Sequence, residues 1–262
     1  MNRDKLFEIV GGIDDSLIAE SLRYDPEAAK TSPERIEHMK TKSLFSFLLA
    51  AALILSLGIA AYAISGIAHS VGTRVMSGTG EYASLSDLPM VEKLVSFPVR
   101  LTERFSDGYG FVKLHVDGQA AYDEEMNVLE EYRVVNAVYL SEAGHERYVS
   151  LSPVLHLPGA HEPPEPTERR MIGGTELRLS LDRYKLVPED YVKSEEDLAA
   201  EEAGHFYITF GADEISERQF AFADFTIGEV NYTIMDMNGS AQTLDELARM
   251  AAELIAAAGS DR

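Results

Sequence analysis

The chain has 262 residues, of which 45% are hydrophobic and 26% charged, so it has the apolar content to build a core and is not a disordered polymer. With 23 Lys plus Arg against 44 Asp plus Glu, its formal charge is −21; that balance excludes wrapping a polyphosphate backbone, so no nucleic-acid partner is expected. It contains no cysteine, which removes disulfides, thiolate metal sites and cysteine nucleophiles.

Residues 1–42 form a polar segment with short amphipathic pieces. Gly11-Gly12 stops a first helix, and Asp14 and Asp15 offer an N-cap to a second that runs to about Arg23. Ile13, Leu17, Ile18 and Leu22 supply its apolar content. A helix this short is marginal without packing. Ile13, Asp14, Asp15, Leu17, Ile18 and Leu22 are therefore the candidate surface for a cytoplasmic partner. Ser32-Pro33 starts a third helix, with Ser32 suited to the cap and Pro33 to the first turn.

Residues 43–68 contain no charged side chain. A helix needs roughly 20 apolar residues to cross a bilayer, so this run reads as a transmembrane helix with the lipid bilayer as its partner. Lys30, Arg35, Lys40 and Lys42 precede it, while Arg74 alone lies in residues 69–88. That asymmetry places the N-terminus in the cytoplasm and the C-terminal bulk outside, at the cell membrane. Ala61-Tyr62-Ala63 has the form of a signal-peptide cleavage site, but the long polar segment ahead of it favours an uncleaved anchor. Ala52, Ser56 and Ala60 recur every four residues, a stripe through which two such helices could form a homodimer.

Residues 69–88, rich in Gly and Ser, read as a tether, and 89–262 as an extracytoplasmic domain. Period-two patterning marks strands at Leu94–Thr102, Gly110–Val116, Val128–Tyr139, Tyr148–Leu157, Thr175–Leu181 and Tyr184–Leu186. Asp107-Gly108, Asp117-Gly118 and Gly173-Gly174 read as turns, and the prolines of 161–168 as a linker or long loop. Ser194 to Asp197 has the pattern of a capped helix start, ending at Gly204. Strands follow at His205–Phe210, Gln219–Ile227 and Glu229–Met237, the last two joined tightly at Gly228. Thr243 and Glu246 have capping-box spacing, and Leu247, Leu254 and Ile255 return to one face of a final helix. The fold class expected is α+β: short cytoplasmic helices, one transmembrane helix, and an antiparallel-sheet ectodomain with a packed C-terminal helix.

No chemistry-bearing motif emerges. The seven histidines lack the spacing of a helical metal site, and the acids between Glu189 and Glu202 lack the alternation of a calcium loop. No metal, cofactor or catalytic residue is expected, and the chain is read as a non-enzyme.

The stretch from Phe7 to Ser21, followed by an Ala/Leu-rich span, resembles the opening of anti-sigma-factor-like membrane proteins of Firmicutes. Tyr184–Tyr191, Gly228–Ile234 and Thr243–Ala251 resemble the C-terminal extracytoplasmic domain DUF4367, over about residues 180–262. The resemblance implies a single-pass regulator that couples an unidentified extracytoplasmic ligand to a cytoplasmic sigma factor. The alternative is a membrane-anchored extracytoplasmic binding module with no cytoplasmic partner.

Overall fold

The computed structural model describes residues 70–73, 76, 80–123, 127–155 and 165–259. Within them the chain forms β1 (Ser70–Thr73), β2 (Gly80–Tyr82), a 3-10 turn (Leu85–Asp87), α1 (Leu88–Val95), β3 (Gly110–Tyr122), β4 (Val128–Leu140) and β5 (Glu146–Pro153). After these come β6 (Glu168–Ile172), β7 (Thr175–Val187), α2 (Glu195–Ala203), β8 (Phe206–Phe210), β9 (Ser216–Ile227), β10 (Val230–Asp236) and α3 (Ala241–Gly259).

All ten strands belong to one sheet, in the order β1-β3-β4-β5-β10-β9-β7-β6. β2 shares the outer edge of β3 with β1, and β8 shares the outer edge of β7 with β6. The order has a simple logic. β3, β4 and β5 make one meander, β7, β9 and β10 make a second, and the third strands of the two pair with each other antiparallel. Two-residue connections set the register of two hairpins. Gly173 and Gly174 turn β6 into β7 with φ of +58° and +86°, and Gly228 turns β9 into β10 with φ of +62°. Those angles are open to glycine and costly for residues with a Cβ.

The expected fold class needs correction. The sheet is mixed, because β8 lies parallel to β7. The cause is α2, which carries the chain back along the sheet between them; a parallel neighbour requires such a crossover. No helix among the described residues is long and apolar enough to cross a membrane. The transmembrane helix expected over 43–68 and the short helices expected within 1–42 lie outside the described residues.

Local expectations also shift. The strand expected at Leu94–Thr102 is instead the end of α1 and an irregular segment. Pro89 in the first turn favours the helix start, and Ser96, left-handed at φ 65°, ends it. Residues 70–73 and 80–82, expected in the tether, pair with β3. Asp117-Gly118 is not a turn but the interior of β3, where the Asp117 carboxylate accepts from Asn136 Nδ2 at 3.0 Å. Thr175–Leu181 and Tyr184–Leu186 are one strand, β7.

The core lies on one face of the sheet. Val91 and Val95 of α1, Phe97, Val99, Phe105 and Tyr109 of the following segment, and one face of α3 pack there against Leu114, Val135, Val149, Ile234, Ala223 and Leu179. Leu247, Leu254 and Ile255 of α3 are buried, as their spacing predicts. α3 begins earlier than expected: Ser240 rather than Thr243 caps it, accepting from Thr243 N at 3.2 Å while Thr243 Oγ1 accepts from Ser240 N at 3.1 Å. The irregular segment after α1 keeps its backbone satisfied through side chains. Val99 N–H donates to Glu92, Arg100 N–H to the Tyr232 hydroxyl, and Thr102 exchanges hydrogen bonds with the Tyr139 hydroxyl. Burial pushes both phenols up, Tyr232 to about 12.

Candidate functional site

Alternation along each strand sends the neighbours of core residues to the opposite face. In β5, Val149 and Leu151 enter the core and Ser150 faces away; in β10, Tyr232 and Ile234 enter and Thr233 faces away. The register then aligns these polar residues across the sheet. Glu81, His115, Asn136, Ser150, Thr233, Asp224, Arg178 and Arg169 stand opposite one another in an unbroken row from β2 to β6. Beside it, Ser152, Asn231 and Thr226 form a second polar row over β5, β10 and β9.

Charge is distributed unevenly along the row. At the β2 end, Lys113 donates to Glu81 at 2.6 Å, and His115 Nε2 lies 3.1 Å from the same carboxylate. The Lys113 hydrogen bond lowers Glu81, whereas burial and the Lys113 charge lower His115 and so favour its neutral form. The centre is neutral amide and hydroxyl. Thr233 Oγ1 donates to Asp224 at 2.6 Å, and Thr226 Oγ1 donates to Asn231 Oδ1 at 2.9 Å. Desolvation raises Asp224 to about 6, against the opposing pull of Thr233 and Arg178. Beyond Asp224 on β7, buried Asp182 meets His205 Nδ1 at 2.6 Å; burial raises this carboxyl and the His205 contact opposes the rise.

Gln119 of β3 faces Tyr132 of β4 on the same side of the sheet. Gln119 is 0% exposed, and among the described residues neither its amide atoms nor the buried Tyr132 hydroxyl has a hydrogen-bond partner. Apolar side chains complete the face: Tyr148, Met235 and Phe222 are buried next to the polar rows, and the Tyr184 ring lies 4.7 Å from Phe220 and 5.2 Å from Tyr207. The face therefore carries a line of polar side chains, several of them paired with one another, between buried apolar ones. Among the described residues no group of three or more His, Asp or Glu could hold a metal ion.

No family model, curated protein or solved structure matches the chain.

A second cluster lies in the core. Arg147 of β5 is 2% exposed and pairs with three carboxylates: Asp107 at 2.8 Å, Asp236 at 2.9 Å, and Glu246 of α3. Its guanidinium also lies 4.1 Å from the centre of the Tyr109 ring. Burial works against the charge, but the hydrogen bonds to Asp236 and Glu246 hold Arg147 protonated more firmly than in water. This cluster fastens the 102–109 segment, β5, β10 and α3 to one another.

The sequence-predicted site residues Ile13, Asp14, Asp15, Leu17, Ile18 and Leu22 lie outside the described residues. The polar rows have no signal of their own in the sequence. Each contributes one or two ordinary surface-type residues per strand, and only the register brings them together. The nearest sequence signal is the polar residue held at alternate positions of strands that are otherwise apolar, as in Val149-Ser150-Leu151-Ser152.

Proposed function

We propose that this sheet domain is the recognition part of a regulatory protein held at a membrane by the uncharged run 43–68. Residues 1–42 would engage a cytoplasmic partner, a sigma factor in the reading that the N-terminal resemblance suggests. The observation that carries the reading is the polar row from Glu81 to Arg169, a line of hydrogen-bonding side chains that the register sets across the whole face opposite the core. Hydroxyl and amide groups at its centre suit an uncharged hydrogen-bonding ligand, and the formal charge of −21 disfavours a polyanion.

The test uses residues 1–42 as bait in a lysate. Capture of a sigma factor, lost with Leu17→Asp plus Ile18→Asp, supports the reading, since two carboxylates at an apolar contact cost several kcal/mol. Absence of capture by the unsubstituted bait leaves the anchored binding module without a cytoplasmic partner as the better account.

A further inference from the structure

α2 is held to the sheet almost entirely by polar contacts. Its one buried side chain is Asp197, which accepts from Lys185 Nζ at 2.7 Å and from the Tyr191 hydroxyl at 2.5 Å. Leu198 is 54% exposed. The second attachment is Glu201: one carboxylate oxygen lies 2.5 Å from Lys193 Nζ, and the other accepts from the backbone N–H of Ile208 at 3.3 Å. Ile208 is the central residue of β8, and no second strand pairs with β8 among the described residues. Arg183 N–H donates to the His205 carbonyl and Gly211 N–H to the Val187 carbonyl, so the odd-numbered residues of β8 face β7. Phe206, Ile208 and Phe210 therefore turn their backbone groups outward. Glu201 takes the place a neighbouring strand would fill at Ile208.

The edge behind that carboxylate is Phe206-Tyr-Ile-Thr-Phe210, with no charge and no proline. Natural sheets protect edges of this kind. Its sequence is nearly symmetric about Ile208. In an antiparallel pair with itself, Ile208 would face Ile208, Phe206 would face Phe210, and each outward-turned residue would meet an outward-turned residue. A two-fold contact is self-complementary by definition, and this strand meets the requirement in both side chains and hydrogen-bond phase. Phe210 at the end of β8 and Leu198 of α2 are exposed, with Lys193 Nζ 5.9 Å from the Phe210 ring.

We propose that the outer edge of β8 is a self-association site, occupied by β8 of a second copy of this chain, and that α2 guards it through Glu201. Displacing the Glu201 carboxylate frees the Ile208 N–H and lets two sheets join across the two-fold. The gate is electrostatic, so it loosens with salt.

The chain has no cysteine, which makes a single introduced thiol a specific reporter. Ile208→Cys in the full chain, expressed in membranes and treated with a short bismaleimide, reads the distance between two copies of position 208. Adding Glu201→Ala removes a hydrogen bond to a charged acceptor, and the cross-linked dimer should rise about tenfold. High salt on Ile208→Cys alone should raise it in the same direction without any substitution in α2. Phe210→Pro removes an outward N–H and leaves the β7 ladder intact, so it should return the dimer to its starting level. Hydrogen exchange at the β7 amides checks that the sheet persists in each variant. The proposal is overturned if neither Glu201→Ala nor salt raises the dimer. It is equally overturned if Phe210→Pro leaves it unchanged, or if Met171→Cys on the β6 edge cross-links as strongly.

Discussion

Replacing Arg147 with methionine should be among the most damaging single changes in the domain. Methionine fills much of the same volume, so the lost quantity is charge pairing rather than packing. The side chain is 2% exposed, and its partners Asp107, Asp236 and Glu246 are 15%, 10% and 29% exposed. Three carboxylates would then share an enclosed site with no cation. Removing one partner of a buried ion pair typically costs about 3–5 kcal/mol, because the charge left behind is neither solvated nor paired. In a domain of this size each kcal/mol moves the midpoint by roughly 2–4 °C, so Arg147→Met should lower Tm by about 6–20 °C.

The assay is thermal unfolding followed by circular dichroism, with hydrogen exchange to locate the damage. Protection should fall first at the start of α3 and in residues 102–109, the elements that Glu246 and Asp107 bind to Arg147. Adding Asp107→Asn, Asp236→Asn and Glu246→Gln to Arg147→Met should recover part of the loss, since it removes the unpaired charges and leaves only the smaller cost of the buried amides. A Tm for Arg147→Met within 2 °C of the parent, on the order expected for an exposed pair, would refute the reasoning. Failure of the neutral quadruple variant to recover stability would show that the guanidinium matters for its shape and the Tyr109 contact instead.

Asp224 should couple stability to pH. Its carboxyl is raised to about 6 in the folded chain, so the folded state holds its proton more tightly than the unfolded state. This contribution is fully present below the ordinary carboxylate range and is lost as pH rises through about 6, at most about 3 kcal/mol in all. Asp224→Asn should therefore flatten the fall in Tm between pH 4 and pH 7 on the order of that loss, and an unchanged slope would exclude the assignment. Gln119→Leu should raise stability by about 1–3 kcal/mol in chemical denaturation, because it deletes two buried polar atoms that have no partner among the described residues. A lower denaturation midpoint for that variant would mean that the amide is already satisfied.

The parts of the fold that were legible in the sequence are those set by neighbours along the chain. Gly173-Gly174 and Gly228 define hairpins through backbone angles that only glycine reaches cheaply. Ser194 with Asp197 defines a helix start through a reciprocal cap that forms at three-residue spacing. The sequence is ambiguous where two local codes overlap. Leu94-Val-Ser-Phe-Pro-Val-Arg-Leu alternates as a strand would, but its apolar residues belong partly to the last turn of α1 and partly to an irregular segment held by Glu92, Tyr232 and Tyr139. None of those three residues lies within 94–102, and two of them are on strands far along the chain, so no window over 94–102 contains the reason it is not a strand. Glu246 shows the same limit at one residue. Its spacing from Thr243 fits a capping box, yet Ser240 caps the helix and the Glu246 carboxylate is bound by Arg147. A residue with two compatible local roles is assigned by the partner that desolvates it, and that partner lies 99 positions away. The polar rows follow the same rule. Ser150, Thr233 and Asp224 are each unremarkable in their own strands, and they form a surface only because hairpin lengths fix which residue stands opposite which. The candidate site is written in the register, so a one-residue slip of β10 would send Thr233 to the core and Ile234 to the polar face, abolishing the fold and the candidate site together.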